Sequence, residues 1–158
     1  MTDTVDRATR SRIMAAVHTR DTSVEMLVRR AVHKAGFRYR IHRRDLPGTP
    51  DMVFAGPRLA VFVHGCFWHS HGCKRSRPPS SNRTYWLRKM EENRERDRRN
   101  VQQLHATGWR AVVIWECEVD AGIARLLDEL ASQGDRRACG AKLGDRVTTR
   151  SRLSTEEA

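Results

Sequence analysis

Residues 64–74 read HGCFWHSHGCK, three histidines, two cysteines and two adjacent aromatics within eleven positions. Three kinds of chemistry are open to such a stretch. One is metal binding. Cys66, His71 and Cys73 are separated by four residues and then by one, and Cys117 lies just beyond the apolar run WRAVVIW. Three sulfurs and one nitrogen are the donor set of a closed, tetrahedral structural zinc site. Spacing leaves the histidine undecided, because His64 and His69 are as near as His71. Cys117 by itself also reads as a buried hydrophobe at a strand end. The fourth cysteine, Cys139, has no evident partner.

The second chemistry is phosphodiester cleavage. Asp51 follows the turn LPGTP and opens one apolar run, and the next run ends at Val63 and His64. Groups at those two places can converge on one Mg²⁺, which needs few protein ligands and polarises a phosphodiester. A turn aspartate after proline is the plainer reading. His69 and Asp97 pair if the long helix carrying Asp97 lies under the loop; a carboxylate-oriented histidine is a good general base. Asp97 could instead meet Arg94, Arg98 or Arg99. Glu25 could pair with His64, cap its own helix, or do both. The third chemistry is base-stack insertion: two large aromatics in a polar loop, Phe67 and Trp68, with Trp86 opening a helix, suit a wedge between bases, or equally a patch of core.

The elements that must position these residues follow from periodicity and punctuation. DTSVEMLVRRAVHKAG predicts a helix, with Thr22 and Glu25 at capping-box spacing, Leu27, Val28, Ala31 and Val32 as its apolar stripe and Gly36 at its end. FRYRIH alternates like a strand; DMVF and LAVFVH predict a hairpin. TYWLRKMEENRERDRRNVQQLHATG predicts the longest helix, with Leu87, Met90, Arg94, Asp97, Val101 and Leu104 along one line. WRAVVIW predicts a buried strand, and a final helix runs within 116–134. The order α-β-β-β-α-β-α gives an α/β class, a central mixed sheet flanked by helices. A single domain is expected over 21–134. Residues 1–20 form a flexible arm carrying Arg7, Arg10, Arg12 and Arg20, and 135–158 a loose polar tail.

A formal net charge of +11 in 158 residues suits a polyanionic partner, although an arginine-rich background would also raise it. Eleven Lys/Arg against four Asp/Glu lie between Lys74 and Arg110. They suit phosphate contacts, or a solvated face with pairs such as Glu92–Arg96 and Glu95–Arg99. No stretch approaches the length of a membrane span, and MTDTVDRATRSR lacks the apolar core of a secretory signal, so a cytoplasmic protein is expected.

Taken together, ATRSRIMAAVHTRDTSVE, LPGTPDMVF, VFVHGCFWHSHGC, YWLRKMEENRERDRRN and GWRAVVIWECE resemble the very short patch repair (Vsr) endonucleases, over residues 8 to about 118. The resemblance implies a restriction-endonuclease-like core. It implies an enzyme that nicks one strand of duplex DNA 5′ to the thymine of a T:G mismatch left by 5-methylcytosine deamination. Catalytic Mg²⁺ and one structural Zn²⁺ come with it. Carried over motif by motif, Asp51 and the Val63 backbone carbonyl hold Mg²⁺, although the family pattern implies threonine where Val63 stands. His69, backed by Asp97, resembles the water-activating base; His64, near Glu25, resembles a leaving-group partner. Cys66, His71, Cys73 and Cys117 resemble the zinc ligands, and Phe67, Trp68 and Trp86 the intercalating wedge. Around Ser70 the loop is less histidine-rich than the pattern implies. The arm would embrace DNA. A monomer is expected, bacterial, cytoplasmic and nucleoid-associated, with T:G-mismatched duplex DNA as substrate and general mismatch-repair proteins as further partners. The alternatives are a zinc-containing restriction-type nuclease and a non-catalytic DNA-binding module.

Overall fold

The structure is a computed structural model that describes residues 9, 20–80 and 82–140, with side chains described as far as Gln133. Apart from Thr9 and Arg20, the expected arm lies outside the described residues; so do 141–158 of the expected tail.

Helix α1 (Ser23–Lys34) begins at the expected cap, Thr22, with Glu25 reaching back to the residues before the helix. The Glu25 N–H donates to Thr22 Oγ1 at 3.3 Å, and the Thr22 hydroxyl donates to Glu25 Oε1 at 3.1 Å. Gly36, at φ +90°, ends it in the left-handed region. Strand β1 (Met52–Phe54) pairs antiparallel with β2 (Leu59–His64), and β2 runs parallel to β3 (Arg110–Trp115), in the order β1-β2-β3. The expected strand FRYRIH reduces to a single bridge, Arg40 to Val53. Its alternation is real, but it borders β1, which is only three residues long and offers little to pair with.

A four-residue turn of helix, α2 (Cys66–His69), and a 3₁₀ turn (Lys74–Ser76) follow β2. Then come α3 (Arg83–Ala106), β3, a 3₁₀ turn (Glu116–Glu118) and α4 (Val119–Gly140), which runs past the expected end at Gly134.

Alternation along β2 makes two cores. Leu59 and Val61 face Val28 and Val32 of α1 and Leu126 and Leu130 of α4. Ala60 and Phe62 face Leu104 of α3, with Trp109 and Leu46. Helices therefore cover both faces, the arrangement expected of a mixed sheet whose crossover passes through a helix. The inward line of α3 is Trp86, Met90, Asn93 and Leu104, with Asp97 and Val101 half-buried on it; Leu87 and Arg94, expected there, are exposed. Leu27 of α1 is likewise 46% exposed. Both leucines stand one position off a stripe that follows 3.6 residues per turn. No helix among the described residues is long and apolar enough to cross a membrane.

The α4–β3 contact is tight enough to test. A Cβ on Gly122 would stand 2.6 Å from Cγ2 of the fully buried Ile114. Alanine gains up to about 1 kcal/mol over glycine inside a helix, but overpacking costs about 1–3 kcal/mol. Gly122→Ala is expected to lower thermal stability, with a fall in Tm of about 2–4 °C per kcal/mol lost. A rise in Tm would show that the contact has slack.

Candidate active site

Strand β2 ends at His64, and the chain leaves the sheet through Gly65. The single turn α2 then places Cys66 and His69 one after the other on a loop fixed from three sides. The Cys66 N–H donates to Glu116 Oε2 at 3.3 Å, the side-chain amide of buried Asn93 donates to the Trp68 carbonyl at 2.8 Å, and the Ser76 hydroxyl donates to the Cys73 carbonyl at 2.7 Å. Ser70, at φ +45°, closes α2 in the left-handed conformation and reverses the chain. That reversal brings His71 back over Cys66.

Cys66, His71, Cys73 and Cys117 converge so that one donor atom from each lies within 4.8 Å of the others. His71 Nε2 is 3.4 Å from Cys66 Sγ and 3.3 Å from Cys117 Sγ. Of the three histidines left open by spacing, this is the one in the cluster. Burial, with the Cys117 thiol beside it, pushes the Cys66 thiol up to about 12. A metal ion there must therefore displace a proton, as thiolate ligands require.

On the inner side of the loop, His69 Nδ1 is hydrogen-bonded to Asp97 Oδ2. Asp97 is half-buried, and its other oxygen meets Arg96 at 3.5 Å. The expected arginine partners Arg94, Arg98 and Arg99 do not reach it. Burial opposes ionisation of Asp97, but the His69 bond and charge outweigh it and hold the carboxyl below its ordinary value. The His64 ring stacks on His69, with centroids 3.7 Å apart and planes 8° apart. Burial, and then the charge of His69, push His64 down to about 3, so it is neutral at physiological pH, and its Nδ1 has no hydrogen-bond partner among the described residues. Donor atoms of His64, His69 and Asp97 also lie within 4.8 Å of one another. Parallel stacked rings, however, send their in-plane lone pairs side by side rather than to a common point. The group is an oriented imidazole with a neutral neighbour, not a second cluster of the Cys/His kind. A cavity of about 500 Å³ opens beside it, between α3 and the end of β3, reached by Arg98 and Trp115.

Asp51 sits before β1, where Gly48 and Thr49 both take positive φ. A Cβ on Gly48 would stand 2.7 Å from the Asn100 amide, so the turn presses on α3 where only glycine fits. Asp51 Oδ2 accepts the Val63 N–H at 2.7 Å. Burial raises the Asp51 carboxyl to about 6; the Val63 bond opposes this, and the charge of Glu25 adds to it.

Glu25 thus acts on Asp51 through its charge. The expected Glu25–His64 pair does not form, because the Glu25 oxygens are taken by Thr22, by the Asp21 N–H at 3.0 Å and by Arg29 Nη2 at 3.1 Å. Arg29, itself buried, also meets Asp21 and His42. Phe67, Trp68 and Trp86 gather edge-to-face at 5.1–6.2 Å, with Tyr85 added at 5.2 Å. Trp86 is buried, Phe67 and Trp68 are half-buried, and Tyr85 is half exposed.

On α3, the expected pairs Glu92–Arg96 and Glu95–Arg99 do not form. Glu92 is held by Arg88 and Lys89, and Arg94 turns to Glu91. Arg83, Arg98 and Arg99 have no carboxylate partner among the described residues. Sequence reasoning passed over Arg29, Asn93, Trp115 and Glu116. Their only signal was a large or polar residue beside a candidate ligand.

Comparison with known proteins gives this arrangement a lineage. The profile of the family described as DNA mismatch endonuclease Vsr matches residues 2–75. The DNA mismatch endonuclease Vsr of Escherichia coli is 38% identical over 150 residues, covering 94% of this chain and 96% of that protein. The chain belongs to the Vsr family. Other similar proteins are named as nicking enzymes. The type II nicking enzyme V.XorIIP of Xanthomonas oryzae is 49% identical over 75% of this chain and 88% of its own length. V.NmeAIP of Neisseria meningitidis is 40% identical over 75% and 85%. The Cys/His cluster, the His69–Asp97 pair and Asp51 all lie in the part of the chain that the likeness to the Escherichia coli protein covers.

Proposed function

We propose that this protein nicks one strand of duplex DNA 5′ to the thymine of a T:G mismatch, the product of 5-methylcytosine deamination, and so starts very short patch repair. The observation that carries the reading is the Asp97-held His69 on the same loop as a Cys₃His cluster, one strand from Asp51. Membership of the Vsr family supports the mismatch, and the relatives named as nicking enzymes support single-strand cutting. The fold is read as a restriction-endonuclease-like core.

Zn²⁺ fits the Cys66, His71, Cys73 and Cys117 set: a tetrahedron of zinc–sulfur and zinc–nitrogen bonds has sulfur–nitrogen edges of about 3.6 Å, close to the 3.3 and 3.4 Å found. Its role is to pin the loop. Mg²⁺ fits the other site, where the Asp51 carboxylate is kept partly out of water and feels the negative charge of Glu25. Asp51 and the Val63 backbone carbonyl would hold it, and a carbonyl ligand is indifferent to valine standing where the family pattern implies threonine. When bound, Mg²⁺ supplies charge to the phosphodiester.

The chain's own residues do the rest. Asp97 keeps the proton of His69 on Nδ1, leaving Nε2 to take a proton from water. His64, buried and neutral, backs the His69 ring on one face; in the leaving-group role, it would act through a hydrogen bond and not as a standing cation. Arg83, Arg98 and Arg99 are available for phosphates. Phe67, Trp68 and Trp86 would enter the base stack at a wobble pair that deforms easily, with the N-terminal arm closing round the duplex. The protein would act as a cytoplasmic, nucleoid-associated bacterial monomer, with general mismatch-repair proteins as later partners.

Two T:G and T:A duplexes of identical sequence test this directly. Mg²⁺-dependent nicking of the thymine strand of the T:G duplex alone is expected; equal cutting of both duplexes, or of both strands, would point to a restriction-type nuclease, and binding without product to a recognition module. Asp97→Asn tests the pair. It keeps the shape but lets the amide donate to Nδ1 and favours the wrong tautomer. A loss of about 10²-fold in single-turnover rate is expected, with little change in DNA affinity. A loss confined to affinity would remove His69 from the role of base.

A further inference from the structure

We propose that Trp115 is a positioning residue that ties the Cys/His cluster to the His64–His69 pair. This rests on the reading of His69 as the base. Trp115 ends β3 in parallel register with His64, so the two rings are brought side by side by strand pairing. One face of the indole stacks on His71, with centroids 4.1 Å apart and planes 17° apart. Its edge meets His64 at 5.2 Å and 70°, and His69 at 6.5 Å and 67°. His64 in turn stacks on His69. Four rings thus form one packed series from a metal-cluster ligand to the proton-transfer histidine.

The need for such a residue is visible in what the histidines lack. A metal-ligating histidine ordinarily has its ring fixed by a hydrogen bond from its other nitrogen. No such partner for His71 Nδ1 occurs among the described residues; its two polar contacts there run from Nε2 to sulfur. His64 Nδ1 is buried and likewise has no hydrogen-bond partner among the described residues. Neither ring is held by a hydrogen bond at that nitrogen, and both lean on the same indole. Aromatic packing here takes over the orienting task that a carboxylate or carbonyl performs elsewhere. Glu116, the next residue, holds the Cys66 N–H, and Cys117 offers a sulfur to the cluster, so three consecutive side chains from the last residue of β3 onward serve one loop.

The test uses the full chain, loaded with zinc, and compares Trp115→Met with Trp115→Phe. Loss of an orienting neighbour typically changes metal affinity or activity by about 10–100-fold, so Trp115→Met is expected to release zinc to a chelator at least about 10-fold faster. At one pH, its His64 and His69 ring signals by NMR are expected to shift. Its single-turnover rate at saturating mismatch DNA should fall, with the DNA Kd unchanged. Trp115→Phe, which keeps an aromatic face, is expected to recover most of each effect. Faster zinc release with unmoved His64 and His69 signals would overturn the proposal, as would a lowered rate with unchanged release. Should Trp115→Met fail to fold, the wild-type chain serves: chelation of its zinc must move the His64, His69 and indole signals, and unmoved signals overturn the coupling. Zinc release and ring signals need no substrate. A wild-type chain that does not nick T:G DNA would therefore sink the functional reading, while these two measurements still decide the role of Trp115.

Discussion

Asp51→Ala will abolish nicking of a T:G duplex while leaving its binding largely intact. The carboxylate lies before β1 and against the Val63 N–H, where burial raises it to about 6. Losing the metal's charge at the phosphodiester removes several kcal/mol of transition-state stabilisation, about 10³-fold or more at 1.36 kcal/mol per tenfold. Affinity rests on the cationic surface, because phosphate contacts dominate DNA binding, so the Kd should change far less than the rate. Unchanged nicking would sink the catalytic assignment.

The same residue makes a pH prediction. A carboxyl whose folded value lies above its unfolded one weakens the fold where it is ionised in both states. That cost disappears as pH falls through about 6 towards 3.8, because the folded form takes up its proton first. In magnesium-free buffer, Asp51→Asn should therefore raise Tm at pH 7, and the gain should vanish by about pH 4.

Cys73→Ser carries the other large effect. The side chain is half-buried and the change is nearly isosteric, so any large loss reports the metal and not packing. Structural zinc contributes on the order of 10 kcal/mol to small metal-dependent folds. Here two cores back the sheet, so only part of that is at stake. A loss of several kcal/mol lowers Tm by about 10 °C or more in a chain of this size. Metal analysis should find about one zinc per chain in the wild type, by the four-ligand logic, and far less in the variant; chelation of the wild type should reproduce the shift. Full zinc content with unchanged Tm in Cys73→Ser would refute the ligand set. His69 shares the loop with Cys66 and His71, so nicking should fall with the metal.

The elements were largely legible, because what makes them is local. The Thr22–Glu25 capping box, Gly36 after α1 and the apolar runs of β2 and β3 are decided within a few residues by hydrogen bonding and periodicity. FRYRIH misled because alternation reports a half-buried extended segment, not whether a neighbour is long enough to pair with it. The expected line along α3 drifted at Leu87 and Arg94 because several lines fit a charged helix with few apolar residues.

Within the site, residue types and spacings by themselves determined that a Cys/His metal set, a histidine–carboxylate pair and an Asp51 site were available. They also placed most of these on one loop. Spacing alone left open which histidine joins the sulfurs; the family resemblance implied His71, and the tertiary structure shows how it gets there. Ser70 reverses the chain and brings His71, not His64 or His69, to Cys66 and Cys117. Tertiary structure alone also sent Glu25 to Arg29 and put Trp115 between His71 and His64. The physical reason is the same in each case. Capping and turn geometry act over three or four residues, whereas a buried charge or an unpartnered ring takes whatever neighbour the strand register and helix packing bring to it, often tens of residues away.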